Sequence, residues 1–294
     1  MTYAPAKPRA GRPRFLVPEV VQTSQMDCGP AALKAILEGF GVRAHYGRLR
    51  EACQTDVDGT SIDTMEDIAN QLGLEAEQIM LPRDHVAVEE AGALPAIAVV
   101  LVASRVTHFV VIWRRHGDWV QLMDPATGRR WTKQERLLAD LYVHKMAVSA
   151  PGWRAYAVSE DFLRPLRCRM ERLGLDNGMG KLIAAAIRDP GWKSIAALDA
   201  AVRMLDSVVR SGAIAPGPQV DAALRTLLEQ DDSIPEHFWT ALAAPPNKAG
   251  EEQVLFRGAV LVRVKGRRAG ALPAPSSPEL AAALGQRRFI PAAS

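Results

Sequence analysis

Gln22-Thr23-Ser24-Gln25-Met26-Asp27-Cys28-Gly29-Pro30-Ala31-Ala32 is polar up to Asp27 and turns helical at Cys28. Pro30 falls in the first turn of that helix, where its missing N–H costs nothing. Leu33, Ile36, Leu37 and Phe40 then recur at spacings of three and four and make one apolar face. Gly39 and Gly41 lie where a left-handed cap is expected. The segment therefore predicts a core helix that begins with a cysteine.

Working outward, a second short helix is expected over Tyr46 to Cys53. A third is expected over Ser61 to Leu72, capped by Thr60 or Ser61 and ended by Gly73. The pattern then changes. Ala96 to Val102 is a β-branched-rich apolar run that suits a buried strand. Thr107 to Trp113 and Trp119 to Met123 are two more, joined by Arg115-His116-Gly117-Asp118 with its turn glycine. Tyr142 to Ser149 reads as a closing strand. Helices first and a sheet after is an α+β order, so residues 15–150 are expected to form one unit.

The remaining chain divides by composition. Residues 1–14 read as a flexible basic arm. Residues 151–159, with Pro151-Gly152, read as a connection. Residues 160–270 form a mainly helical second domain: Leu198, Val202, Leu205 and Val209 keep helical spacing, as do Ala223, Leu227 and Leu228, while residues 254–264 favour a strand or hairpin. Residues 271–294 are expected to be loosely ordered, with one short helix near Glu279 to Leu284.

The whole composition excludes several classes. The chain has 294 residues, 48% hydrophobic and 23% charged, with a net charge of +3 and only 6% aromatic residues. That balance gives no concentrated basic face, so no nucleic-acid partner is expected. Cys28, Cys53 and Cys168 include no Cys-x-x-Cys pair, so neither a zinc site nor a thioredoxin motif is supported. A low, odd cysteine count fits a reducing cytoplasm. Residues 1–14 lack the apolar core of a secretory signal. Leu94 to Ala103 is far shorter than the roughly 20 residues that span a bilayer. Asn177-Gly178-Met179-Gly180-Lys181 fails as a phosphate loop, because Leu175 and Leu182 stand where a glycine and a Ser/Thr are required. The histidines show no metal-ligand spacing, and no cofactor is expected.

What the sequence does offer is cysteine peptidase chemistry, which needs a thiolate, a base, a group orienting the base and donors for an oxyanion. Cys28 opens a helix, whose dipole favours a negative sulfur. His108 begins one strand and Asp124 ends the next. Their mean position is 116, close to the turn, so the two are expected nearly opposite each other, within about one position. Gln22, six residues before Cys28, is the candidate oxyanion donor beside the Cys28 backbone N–H, with Gln25 as its competitor.

These three segments, Gln22 to Ala32, Thr107-His108-Phe109-Val110-Val111 and Asp124-Pro125-Ala126-Thr127-Gly128, in this order resemble the bacteriocin-processing, double-glycine leader peptidases, which are papain-like. The resemblance covers residues 15–150. It implies Cys28 as nucleophile, His108 as general base and acid, Asp124 as orienter and Gln22 as oxyanion donor. It further implies cleavage after a Gly-Gly or Gly-Ala pair, with the amphipathic helical leader of a precursor peptide as partner. Such domains usually precede the membrane and ATPase parts of ABC exporters, here expected in cis or in trans, which implies a place in the cytoplasm at the inner face of the membrane. A non-catalytic leader-docking domain and another papain-like amidase are the alternative readings.

Overall fold

The computed structural model describes residues 13–53, 60–102 and 106–268. The expected basic arm up to Arg12, and the tail with its helix near Glu279, lie outside them. Two compact units are present, and neither is one continuous stretch. Of the described residues, the first gathers those up to Met80, those within Ala93–Tyr142 and those from Val260 on; the second gathers Leu81–Gly92 and Val143–Ala259. These lines differ from a single cut near residue 150.

The first unit has three N-terminal helices, α1 (Cys28–Gly39), α2 (Tyr46–Ala52) and α3 (Ile62–Gln71). Ser61 caps α3 by accepting a hydrogen bond from the Thr64 N–H at 3.1 Å, satisfying one of the free donors of the first turn. The strands follow: β1 (Leu74–Leu81), β2 (Ala96–Leu101), β3 (Thr107–His116), β4 (Trp119–Asp124) and β5 (Gly128–Lys133), then helix α4 (Gln134–Asp140). The three helices and the antiparallel sheet make the α+β arrangement expected. Leu33, Ile36 and Leu37 of α1 are fully buried against Ile97, Val111, Trp113 and Met123 of the sheet. Each such side chain contributes about 1.5–3 kcal/mol by leaving water. Val110 and Ile112 are buried on the opposite face, which is why β3 reads as a continuous apolar run instead of an alternating one.

β1, β5 and α4 are additional to the elements expected from the sequence. β1 reads Leu-Glu-Ala-Glu-Gln-Ile-Met-Leu, whose charges gave no strand signal; it is an edge, where charged side chains are tolerated. β5 is largely exposed and polar for the same reason.

Besides Leu81–Gly92, the second unit holds β6 (His144–Ser149), helices α5 (Ala150–Ala157), α6 (Glu160–Arg172), α7 (Met179–Arg188), α8 (Lys193–Arg210) and α9 (Pro218–Glu229), β7 (Ala241–Ala244) and the first part of the long β8 (Gln253–Arg267). It is mainly helical, as expected. The connection expected over residues 151–159 is instead mostly helix. Ser149 caps α5 by accepting from the Gly152 N–H, so Pro151 falls in the first turn, where proline is tolerated. Leu198, Val202 and Leu205 are buried in α8; α9 buries Val220 and Leu224, with Leu227 and Leu228 only half-buried. The stretch 254–264 is one strand, not a hairpin. Its residues 253–258 pair antiparallel with β6 in the second unit, and residues 261–263 pair with β2 in the first. In the first unit the strand order is therefore β1, end of β8, β2, β3, β4, β5.

Candidate active site

The site is built at one end of the first unit's sheet, where β3 begins and β4 ends. Cys28 is the first residue of α1 and follows Asp27, whose carboxylate is fully buried. That carboxylate accepts from Thr23 Oγ1 and from Arg50 Nε, both at 2.8 Å. The segment before Cys28 is thereby fastened to α2. Gly29 is required behind Cys28, because an added Cβ would lie 2.9 Å from Thr60 Cβ.

Cys28, His108 and Asp124 lie together, with His108 between the other two. His108 Nε2 and Asp124 Oδ1 are 2.8 Å apart. The Cys28 thiol interacts with the same ring, and with Nε2 engaged by Asp124 it is Nδ1 that is left to face the sulfur. Asp124 is itself fixed by two further donors, the Ala126 N–H at 2.9 Å and Arg130 Nη1 at 2.7 Å. Arg130 was not foreseen. It stands opposite Leu122 on β5, and the signal was the tight hairpin Asp124-Pro125-Ala126-Thr127-Gly128, closed by Gly128 at φ 89°.

The strand register corrects the expected pairing. Near the turn the partners are His116 with Trp119, Arg115 with Val120 and Arg114 with Gln121; beyond it they are Ile112 with Leu122 and Val111 with Met123. Trp113 is the extra residue of a β-bulge. Continuing the ladder sets Asp124 opposite Val110, two positions from His108, so the contact is diagonal and not directly across. The slip also decides the face. Without it Asp124 would oppose Val111, on the other side of the sheet from His108.

The electrostatics follow from these contacts. Burial pushes the Cys28 thiol up, but the His108 hydrogen bond, the Phe109 and Gly29 backbone donors and the imidazolium charge outweigh it, leaving the thiol below its ordinary value. Burial pushes His108 down, yet its bonds to Asp124 and Cys28 prevail and carry it up to about 9. Burial works against the Asp124 carboxylate too, but His108, Arg130 and the Ala126 N–H hold it well below the usual carboxylate range. The arrangement favours a thiolate beside an imidazolium, the state a nucleophilic cysteine requires.

Gln22 is placed by its backbone, whose N–H donates to the Pro125 carbonyl at 2.8 Å, so it is tied to the loop after Asp124. Its Oε1 is buried with no hydrogen-bond partner among the described residues. Gln25 is exposed. Burial pushes Cys53 up to about 12, and Cys168 is also raised, first by burial and then by Glu90. Beside His108 and Asp124 opens a cavity of about 520 Å³ whose apolar wall includes Val100, Leu101, Val102, Val110, Leu122 and Leu137. Among the described residues no group of three or more His, Cys, Asp or Glu side chains could hold a metal ion, and no helix is long and apolar enough to cross a membrane.

Comparison with known proteins follows the same segments. The model of the peptidase C39 family matches residues 17–151. The lactococcin-G-processing and transport ATP-binding protein LagD of Lactococcus lactis is 33% identical over 110 residues, which is 37% of this chain but 16% of that protein. The chain thus spans about a sixth of the length of that relative. An uncharacterized protein of Methanothermobacter thermautotrophicus is 32% identical over 117 residues, 77% of its length. A solved double glycine motif protease from an AMS/PCAT transporter, in complex with the leader peptide, is 25% identical and covers 44% of this chain and 89% of its own, with a TM-score of 0.39. Through residues 17–151, which contain Cys28, His108 and Asp124, the chain belongs to the peptidase C39 family.

Proposed function

We propose that the chain is a cysteine endopeptidase that removes the leader of a precursor peptide after a Gly-Gly or Gly-Ala pair, in association with export of the product. The observation that carries this reading is the placement of His108 between Cys28 and Asp124, with Nε2 held 2.8 Å from the Asp124 carboxylate and the thiol beside the same ring. The similarity to LagD, whose name describes processing and transport, supports the substrate class and the exporter association.

In this reading Cys28 is the nucleophile. Its thiolate attacks the carbonyl carbon of the second small residue, and the carbonyl oxygen becomes an oxyanion. The Cys28 backbone N–H, which has no partner within the helix ladder, is one donor to it. The Gln22 amide is the other: turned over about its terminal bond, its buried Oε1 position carries Nε2 instead. His108 gives its proton to the leaving amine nitrogen, the C–N bond breaks and a thioester remains. His108 then takes a proton from water, which attacks the thioester; the C–S bond breaks and the thiolate returns. Asp124 keeps the imidazole oriented and its positive charge matched throughout.

The apolar wall of the cavity beside His108 would receive the apolar face of an amphipathic leader helix. Leu101 and Val102 on that wall are both exposed large apolar residues, which a leader would cover.

A peptide aldehyde ending in Gly-Gly tests the reading. It should add to Cys28 as a reversible thiohemiacetal, visible by intact mass under native conditions and absent in Cys28→Ala. No adduct on the folded protein would count against it.

A further inference from the structure

The second unit holds a cavity of about 410 Å³ in which cations outnumber acids. Its wall carries Arg83, Lys145, Arg169, Arg203, Arg210 and Arg257, against the carboxylates of Asp84 and Asp206. Most of these charges are matched. The buried Arg169 and Arg203 both hold Asp84, and both reach Asp199, at 3.4 and 2.9 Å. Arg210 pairs with Asp206 at 2.6 Å, and Arg257 lies 3.5 Å from Glu236. Arg83 and Lys145 are exposed and have no carboxylate partner among the described residues. Two positive charges are therefore left over in a concavity, where the low-dielectric wall concentrates their field.

The same cavity has an aromatic border. His237 and Phe238 lie against each other with ring centroids 4.1 Å apart and the rings tilted by 40°. The neighbouring Trp239 is held by its indole N–H, which donates to the Ile234 carbonyl at 3.1 Å. Arginines suit the planar, multidentate recognition of oxyanions, and an aromatic face suits a flat ring. A concave site of this volume suits a small molecule better than a flat macromolecular surface would.

We propose that this cavity is a binding site for a small organic dianion of the phosphate-ester class that carries a flat ring, with Arg83 and Lys145 supplying the unmatched charge and the 237–239 segment the ring contact. The site is independent of the peptidase reading.

Isothermal titration calorimetry of the whole chain with adenosine monophosphate, adenosine and inorganic phosphate tests it, alongside the double variant Arg83→Ala/Lys145→Ala. Both side chains are exposed and have no ion-pair partner among the described residues, so the variant should fold, which circular dichroism checks. The expected result is saturable one-site binding of the monophosphate that weakens with added salt and falls by about tenfold or more in the variant. Adenosine and inorganic phosphate should each bind about tenfold or more weakly than the ester. No saturable heat at millimolar ligand, an unchanged affinity in the folded variant, or equal binding of adenosine or of inorganic phosphate would overturn it.

Discussion

The His108 imidazole and the Asp124 carboxylate meet diagonally across β3 and β4, 2.8 Å apart, on a shared face that the bulge at Trp113 creates. One residue of slip in the ladder is the difference between a hydrogen bond and two side chains on opposite sides of a sheet. Asp124→Asn removes the charge while keeping the shape. The proposed role predicts a fall of about three to four orders of magnitude in kcat, with little change in thermal stability, measured by steady-state cleavage of a leader peptide beside a melting curve.

The bulge itself rests on α1. Gly39 faces Trp113 so closely that an added Cβ would overlap its ring. Gly39→Ala should therefore destabilise the first unit by about 1–3 kcal/mol through overpacking, read by denaturant unfolding. Because the ring it displaces belongs to the bulge residue, activity should fall at temperatures where the variant is still folded.

The three thiols should differ sharply in reactivity. Cys28 is below its ordinary value, while burial takes Cys53 up to about 12 and Cys168 is raised by burial and Glu90. Iodoacetamide near pH 6 should label Cys28 first, with His108→Ala slowing that reaction. Peptide mapping by mass spectrometry reads the order; faster labelling of Cys168 would contradict it.

Activity should follow a bell-shaped pH profile. On the acid side kcat/KM falls as the Cys28 thiolate is protonated; on the alkaline side it falls as His108 loses its proton near pH 9. The two values belong to the coupled pair. The stability linkage has a definite sign. His108 titrates higher in the folded protein than its ordinary 6.5, so its contribution is complete below about pH 6.5 and is lost as pH rises through about 9. In Cys28→Ala the imidazole loses one of its two partners, and its pKa, followed by NMR, should drop while staying supported by Asp124.

Much of this site is legible in the sequence because its pieces are local. Cys28-Gly29-Pro30 and the apolar spacing after it define α1, and Gly117 marks the turn between β3 and β4. The bulge is not legible: Trp113 is apolar like its neighbours, and nothing in a run buried on both faces reports a change of register. Arg130 is hidden for a related reason, since β5 is an exposed strand with little apolar signal. The membership of residues 260–267 in the first unit's sheet depends on pairing with Ala96 to Ala98, more than 150 positions earlier, which no local pattern encodes.

The most direct test is mass spectrometry of the purified chain incubated with double-glycine leader peptides, beside Cys28→Ala. The proposed function predicts one cut directly after Gly-Gly, lost in the variant although the variant still binds the leader. An intact peptide after prolonged incubation with the folded, reduced protein would contradict it, as would a cut that survives in Cys28→Ala.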